Sequence, residues 1–84
     1  MTLGERILIL RRRRNLSQRA LARAADVNFN TIARLEQGSL HDLSGEYIVK
    51  LARVLDCTTD VLLGVAEMDA EGEHRPAGVV LVGA

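Results

Sequence analysis

Arginine is the residue of this chain best suited to bind a charged partner, and its distribution along the sequence is uneven. Residues 1–37 carry eight arginines and three carboxylates, whereas residues 38–84 carry three cations and eight carboxylates. The formal net charge of zero therefore divides into +5 and −5. Guanidinium groups bind phosphate through paired, charge-assisted hydrogen bonds. This polarity favours a polyanion such as nucleic acid as the partner of the amino-terminal half.

Residues suited to other chemistry are few. Cys57 is the one cysteine, which excludes an internal disulfide or a cysteine-based metal cluster, and His41 and His74 lack companion ligands at metal spacing. We expect no metal and no cofactor. The sequence contains no cysteine–histidine pairing and no glycine loop that could hold phosphate, so we expect no enzymatic activity. It also lacks a membrane span and a signal-peptide pattern, which predicts a cytoplasmic protein with no membrane partner.

The arginine-rich half contains two short helical patterns that begin in the same way. Leu16-Ser17 precedes Leu21, and Val27-Asn28 precedes Ile32. In each, a capping residue follows one apolar residue and stands four positions before another, which is an N-cap with a hydrophobic staple. Two such patterns in close succession predict a helix, a sharp turn and a second helix that enters at a fixed angle.

Three further helices complete the predicted all-α fold. Apolar spacing and caps indicate helices at 3–14 and 45–55 and a brief one near 59–63, which Thr58 or Thr59 would cap. We expect residues 1–64 to form one domain. Residues 65–84 read as an acidic linker and an apolar tail, in which the β-branched run Val79–Val82 favours either a strand or an unstructured end.

The helical part of the sequence resembles a known family. Residues 3–64 are similar to the phage-repressor type of helix-turn-helix domain, the Cro-like or XRE-like family of transcription regulators. The resemblance implies a compact five-helix, lambda-repressor-like domain, and it has no counterpart for residues 65–84. The matching residues are Leu16-Ser17-Gln18, Ala22, Val27, Thr31-Ile32, Leu35-Glu36-Gln37-Gly38, Leu51-Ala52, Leu55 and Asp60 to Gly64.

The resemblance implies that the helix at about 28–37 lies in the major groove of double-stranded DNA, with its first residues on base edges. The residues at those positions have suitable chemistry, since Asn pairs with adenine, Arg with guanine, and Phe or the Thr methyl contacts the thymine methyl. For Phe29 the alternative is a core residue. The predicted base contacts are Asn28, Phe29, Asn30, Thr31 and Arg34.

The phosphate contacts follow from the same resemblance. Gln18 matches a residue that binds phosphate and supports the third helix, Gln37 matches a second phosphate contact, and Arg11 and Arg19 complete the predicted set. Arg11 and Glu36 also match a pair that forms a salt bridge between helices one and three in some relatives, so we predict that pair here.

Two residues or segments depart from the family pattern. Asp26 stands where the family usually has Gly, because the backbone of the turn adopts positive φ, which Asp tolerates at a modest cost. The loop 39–44 lacks the proline and the basic residues that are frequent in relatives. We therefore expect this loop to add little to phosphate binding and nonspecific affinity to be weak.

The function that the resemblance implies is that of a sequence-specific regulator of transcription, most consistent with a repressor that binds an inverted repeat as a homodimer. The alternative is an antitoxin or another interaction module that binds a protein partner through residues 65–84. In a third interpretation of the tail, the strand at Val79–Val82 pairs with its copy in a second chain.

Overall fold

The computed structural model describes residues 1–68 and 74–76. Over these residues the predicted all-α architecture of five helices is confirmed, and two three-residue strands follow the helices. No helix in this part of the chain is long and apolar enough to cross a membrane. In chain order the elements are α1 (Leu3–Arg13), α2 (Gln18–Ala25), α3 (Phe29–Gln37), α4 (Gly45–Leu55), α5 (Thr59–Leu63), β1 (Ala66–Met68) and β2 (His74–Pro76).

Each of these helices begins at a side chain that caps it. The side-chain oxygen accepts a hydrogen bond from a backbone N–H in the first turn, which satisfies a donor that has no partner within the helix. Thr2 and Glu5 form a reciprocal capping box, and the hydrogen bonds from Thr2 lower the pKa of the Glu5 carboxyl. The five caps are Thr2, Ser17, Asn28, Ser44 and Thr58. Ser17 and Asn28 are the predicted caps, and of the two candidates for α5 the cap is Thr58.

The core lies where the apolar faces of α1 to α5 meet. All four residues of the predicted staples belong to this core, since Leu21, Val27 and Ile32 are buried and Leu16 packs against the same cluster. Burying one such side chain contributes about 1.5–3 kcal/mol. The buried side chains are therefore the main force that holds α2 and α3 at a fixed angle.

At Gly4 the backbone of α1 lies directly against the backbone of α3. A Cβ atom built on Gly4 would lie 1.9 Å from the carbonyl oxygen of Leu35 and 3.1 Å from the backbone nitrogen of Glu36. Real Cβ atoms do not approach backbone this closely, so only glycine fits. The first turn of α1 thus sets the position of the last turn of α3.

The turn between α2 and α3 depends on a residue in the left-handed conformation. Asp26 ends α2 with φ 55° and ψ 51°, and its backbone N–H bonds back to the last turn of the helix. The positive φ that we expected at Asp26 is therefore confirmed. The Cβ atom of Asp26 makes this conformation less favourable than it would be for glycine. Lys50 on α4 donates to the Asp26 carbonyl oxygen at 3.4 Å and lies 3.7 Å from its carboxylate.

Substituting Asp26 with glycine is expected to raise the free energy of unfolding by up to about 1 kcal/mol, because glycine adopts positive φ without a steric penalty. Urea unfolding measures the change. Asp26→Ala is the matched control, since it removes the same carboxylate but keeps the Cβ atom. If glycine and alanine have equal effects, the backbone conformation at this turn carries no strain.

The stretch predicted as a solvated linker contains both strands. β1 pairs antiparallel with β2, with Ala66 opposite Pro76 and Glu67 opposite Arg75. The acidic composition of this stretch indicated a linker. Ala66, two residues after the left-handed Gly64, is however buried against the core, which ties β1 to the helical domain. The predicted strand at Val79–Val82 lies outside the described residues.

Candidate nucleic-acid interface

The helix pair α2 and α3 presents one side of α3 to solvent. Asn30, Arg34 and Gln37 are exposed, and their spacing of four and three residues places them on one face of the helix. Ile32 and Leu35 are buried on the opposite side. The exposed face therefore carries two amides and one guanidinium, groups that make directional hydrogen bonds to a planar partner.

Asn28 and Thr31 flank this face at the start of α3. Asn28 is exposed, and its Oδ1 atom accepts a hydrogen bond of 2.8 Å from the Asn30 backbone N–H. The cap uses only the oxygen of the Asn28 amide, so the predicted double role of cap and base contact is compatible with this geometry. Thr31 is half-buried.

Glu36 joins three helices beneath the exposed face. Its carboxylate accepts hydrogen bonds from Arg11 Nε and Nη2, each at 2.8 Å, and from Gln18 Nε2 at 3.0 Å. The side chains of Arg11 and Glu36 are only 12% and 6% exposed. The predicted salt bridge between α1 and α3 is confirmed. The hydrogen bonds to Glu36 raise the pKa of Arg11 against the opposing effect of burial.

This arrangement changes what Arg11 and Gln18 can offer to a phosphate. Arg11 also donates from Nη1 to the Leu16 carbonyl oxygen at 3.1 Å, so each nitrogen of its guanidinium already makes a hydrogen bond. Gln18 uses one hydrogen of its amide nitrogen on Glu36 and retains the second. Of these two predicted phosphate contacts, Gln18 is therefore the better placed.

Arg19 and Phe29 form a stacked pair at the junction of α2 and α3. The Arg19 guanidinium carbon lies 4.3 Å from the centroid of the Phe29 ring, which is a cation–π contact. Phe29 is half-buried against the core, as the alternative of a core residue would require in part, and its base contact stays a prediction. A shallow depression of about 360 Å³ adjoins the pair and is lined by Arg19, Ala22, Arg23, Asp26, Val27 and Phe29.

The arginines of the first half divide into two groups that the sequence did not distinguish. Arg6 donates to the Leu62 carbonyl oxygen at 2.7 Å, Arg14 pairs with Asp56 at 2.8 Å, and Arg11 is committed to Glu36. These three connect helices. Arg14 is itself exposed. Five further arginines are exposed at the end of α1 and along α2 and α3, and they are Arg12, Arg13, Arg19, Arg23 and Arg34.

The arrangement of these helices is that of a known protein family. A family model described as helix-turn-helix, of the XRE/Cro-like type, matches residues 7–62, which is most of the chain. This protein is a helix-turn-helix protein of that family. The resemblance expected from the sequence is thereby confirmed.

The helix-turn-helix protein is also similar to a solved structure, that of the P22 c2 repressor protein in complex with synthetic operator 9T. The two chains are 30% identical and superpose with a TM-score of 0.69, over 75% of this chain and 94% of the other. A search of curated proteins finds no match. The similarity to the P22 c2 repressor confirms the lambda-repressor-like fold expected from the sequence.

Proposed function

We propose that this helix-turn-helix protein is a sequence-specific regulator of transcription, of the repressor type, that binds double-stranded DNA. The observation that carries the proposal is the exposed amide and guanidinium face of α3 in a fold whose solved neighbour is bound to operator DNA. The helices α1 and α2, which pack against α3, also carry exposed arginines. They supply the cations that a phosphate backbone requires.

In the proposed complex α3 lies in the major groove. Asn28, Asn30 and Arg34 hydrogen-bond base edges, while Phe29 and Thr31 make apolar contacts. The donors for phosphate are Gln18, Gln37 and Arg19, which position the helix without reading sequence. Arg11 acts mainly through Glu36, by holding the end of α3, and makes at most a secondary phosphate contact.

The proposed assembly on DNA is a homodimer that contacts two half-sites of an inverted repeat, one helical turn apart. Selection of bound sequences from random duplexes at two salt concentrations tests this proposal. Enriched paired half-sites support it. Binding that has no sequence preference and that disappears at the higher salt would instead indicate phosphate attraction alone.

Alanine substitution of Asn30 or Arg34 is expected to cost about 1–3 kcal/mol of binding and to relax preference at one position in each half-site, because each side chain reads one base. Fluorescence anisotropy on a panel of single-base variants of the selected duplex measures both effects. Arg53→Ala is the matched control, since Arg53 is exposed on α4. Unchanged preference in both α3 variants would mean that this face does not read bases.

A further inference from the structure

The pairing of Arg19 with Phe29 places an apolar aromatic ring at the start of α3, among residues that form hydrogen bonds. Phe29 has no donor or acceptor, yet it is the first residue of a helix whose exposed neighbours are polar. An apolar side chain at such a position discriminates between bases only through the methyl group on C5 of a pyrimidine. Its chemistry therefore predicts a particular kind of base.

Contacts on two sides hold the ring in place. The Arg19 guanidinium stacks on it at 4.3 Å, and the core cluster packs against it. The buried side chains of Ala22 and Val27 and the exposed side chains of Arg19 and Arg23 line the adjoining depression. When one face of a guanidinium covers an aromatic ring, its N–H groups still point outward in the guanidinium plane. They therefore remain able to bind phosphate.

We propose that Arg19 and Phe29 act as one composite contact that selects a C5-methylated pyrimidine, thymine or 5-methylcytosine, at one position of each half-site. The proposal rests on the proposed function. Phe29 receives the methyl group, and Arg19 fixes the ring while it contacts the backbone beside that base. Arg19 is thus a positioning residue for base selection as well as a cation for phosphate.

Uracil scanning of the selected duplex tests this contact. Each thymine is replaced singly by uracil, which removes only the methyl group, and affinity is measured by fluorescence anisotropy at constant salt. One position in each half-site is expected to lose about fourfold in affinity, the effect of one buried methyl group. When a C·G pair replaces that T·A pair, 5-methylation of the cytosine is expected to strengthen binding by a similar factor.

Variants then assign the effect to the pair. Phe29→Gln removes the ring, and Arg19→Gln removes the group that holds it. In both variants the affinity for the thymine duplex is expected to exceed that for the uracil duplex by a ratio of less than about two. Arg23→Gln is the matched control, since Arg23 lines the same depression on the same helix but does not stack on the ring. It is expected to weaken binding to both duplexes equally. Phe29→Tyr retains the ring and should retain the ratio, which covers the case in which Phe29→Gln does not fold.

A flat uracil scan of a duplex that the protein binds specifically would overturn the composite contact and leave the proposed function standing. The same holds if Arg19→Gln weakens binding without changing the ratio, since Arg19 would then be only a phosphate contact. If selection enriches no duplex, the proposed function fails and this contact fails with it.

Discussion

Replacing Glu36 with alanine is expected to lower the free energy of unfolding by about 1.5–3 kcal/mol, because the half-buried Arg11 guanidinium would lose its carboxylate partner. Glu36 is 6% exposed and accepts three hydrogen bonds that originate on α1 and α2. Arg11 would keep only its hydrogen bond to the Leu16 carbonyl oxygen, and the guanidinium nitrogens that now bind Glu36 would lose their acceptor. Urea unfolding measures the difference.

Two controls distinguish the effect of leaving Arg11 unpaired from the effect of removing a carboxylate. Glu46→Ala removes an exposed carboxylate 3.6 Å from Lys50 and is expected to cost less than about 0.5 kcal/mol. The double variant Arg11→Met with Glu36→Leu removes both charges and is expected to recover most of the stability lost in Glu36→Ala. If Glu36→Ala costs no more than Glu46→Ala, the pair does not hold the helices together.

Replacing Gly4 with alanine is expected to lower the free energy of unfolding by about 3 kcal/mol, the upper part of the range for an overpacked core. The added methyl group would overlap the Leu35 carbonyl, and backbone cannot move aside as a flexible side chain can. Separation of α1 from α3 would also move the Glu36 carboxylate relative to Arg11. Urea unfolding again reports the change.

Gly45→Ala is the matched control for Gly4→Ala. Gly45 is the first residue of α4, and a Cβ atom there would meet nothing within 4 Å. Alanine at this position is expected to change stability by less than about 1 kcal/mol, and in the favourable direction, because alanine is the better helix former. Equal losses in the two variants would show that helix packing at Gly4 is looser than its geometry indicates.

Features that depend on neighbours in the chain could be predicted from the sequence. Caps and staples act over four residues, so Ser17 and Asn28 marked the starts of α2 and α3 and the structure agrees. The left-handed conformation of Asp26 was expected from the family resemblance, and the structure confirms it. The Arg11–Glu36 pair spans 25 residues, and only family resemblance predicted it.

Contacts that depend on how helices cross could not be read from the sequence. The roles of Arg6 and Arg14 as connections between helices depend on carbonyl oxygens 56 and 41 residues away. The stack of Arg19 on Phe29 requires the angle of the turn between α2 and α3, and Gly4 becomes informative only when α3 lies against it. The pairing of β1 with β2 likewise leaves no signal in residue type. Composition therefore indicated only an acidic linker in this stretch.

The hydrogen-bonded unit of Arg11, Gln18 and Glu36 has a consequence for the thermodynamics of association. Because α1, α2 and α3 are joined before any ligand arrives, the surface that we propose for DNA recognition is already ordered in the free protein. Little conformational entropy is then lost from the backbone on binding, and the loss is confined to exposed side chains such as Arg34. On a rigid surface of this kind, the adjustments needed for a close fit fall mainly to the DNA, whose stiffness varies with its sequence.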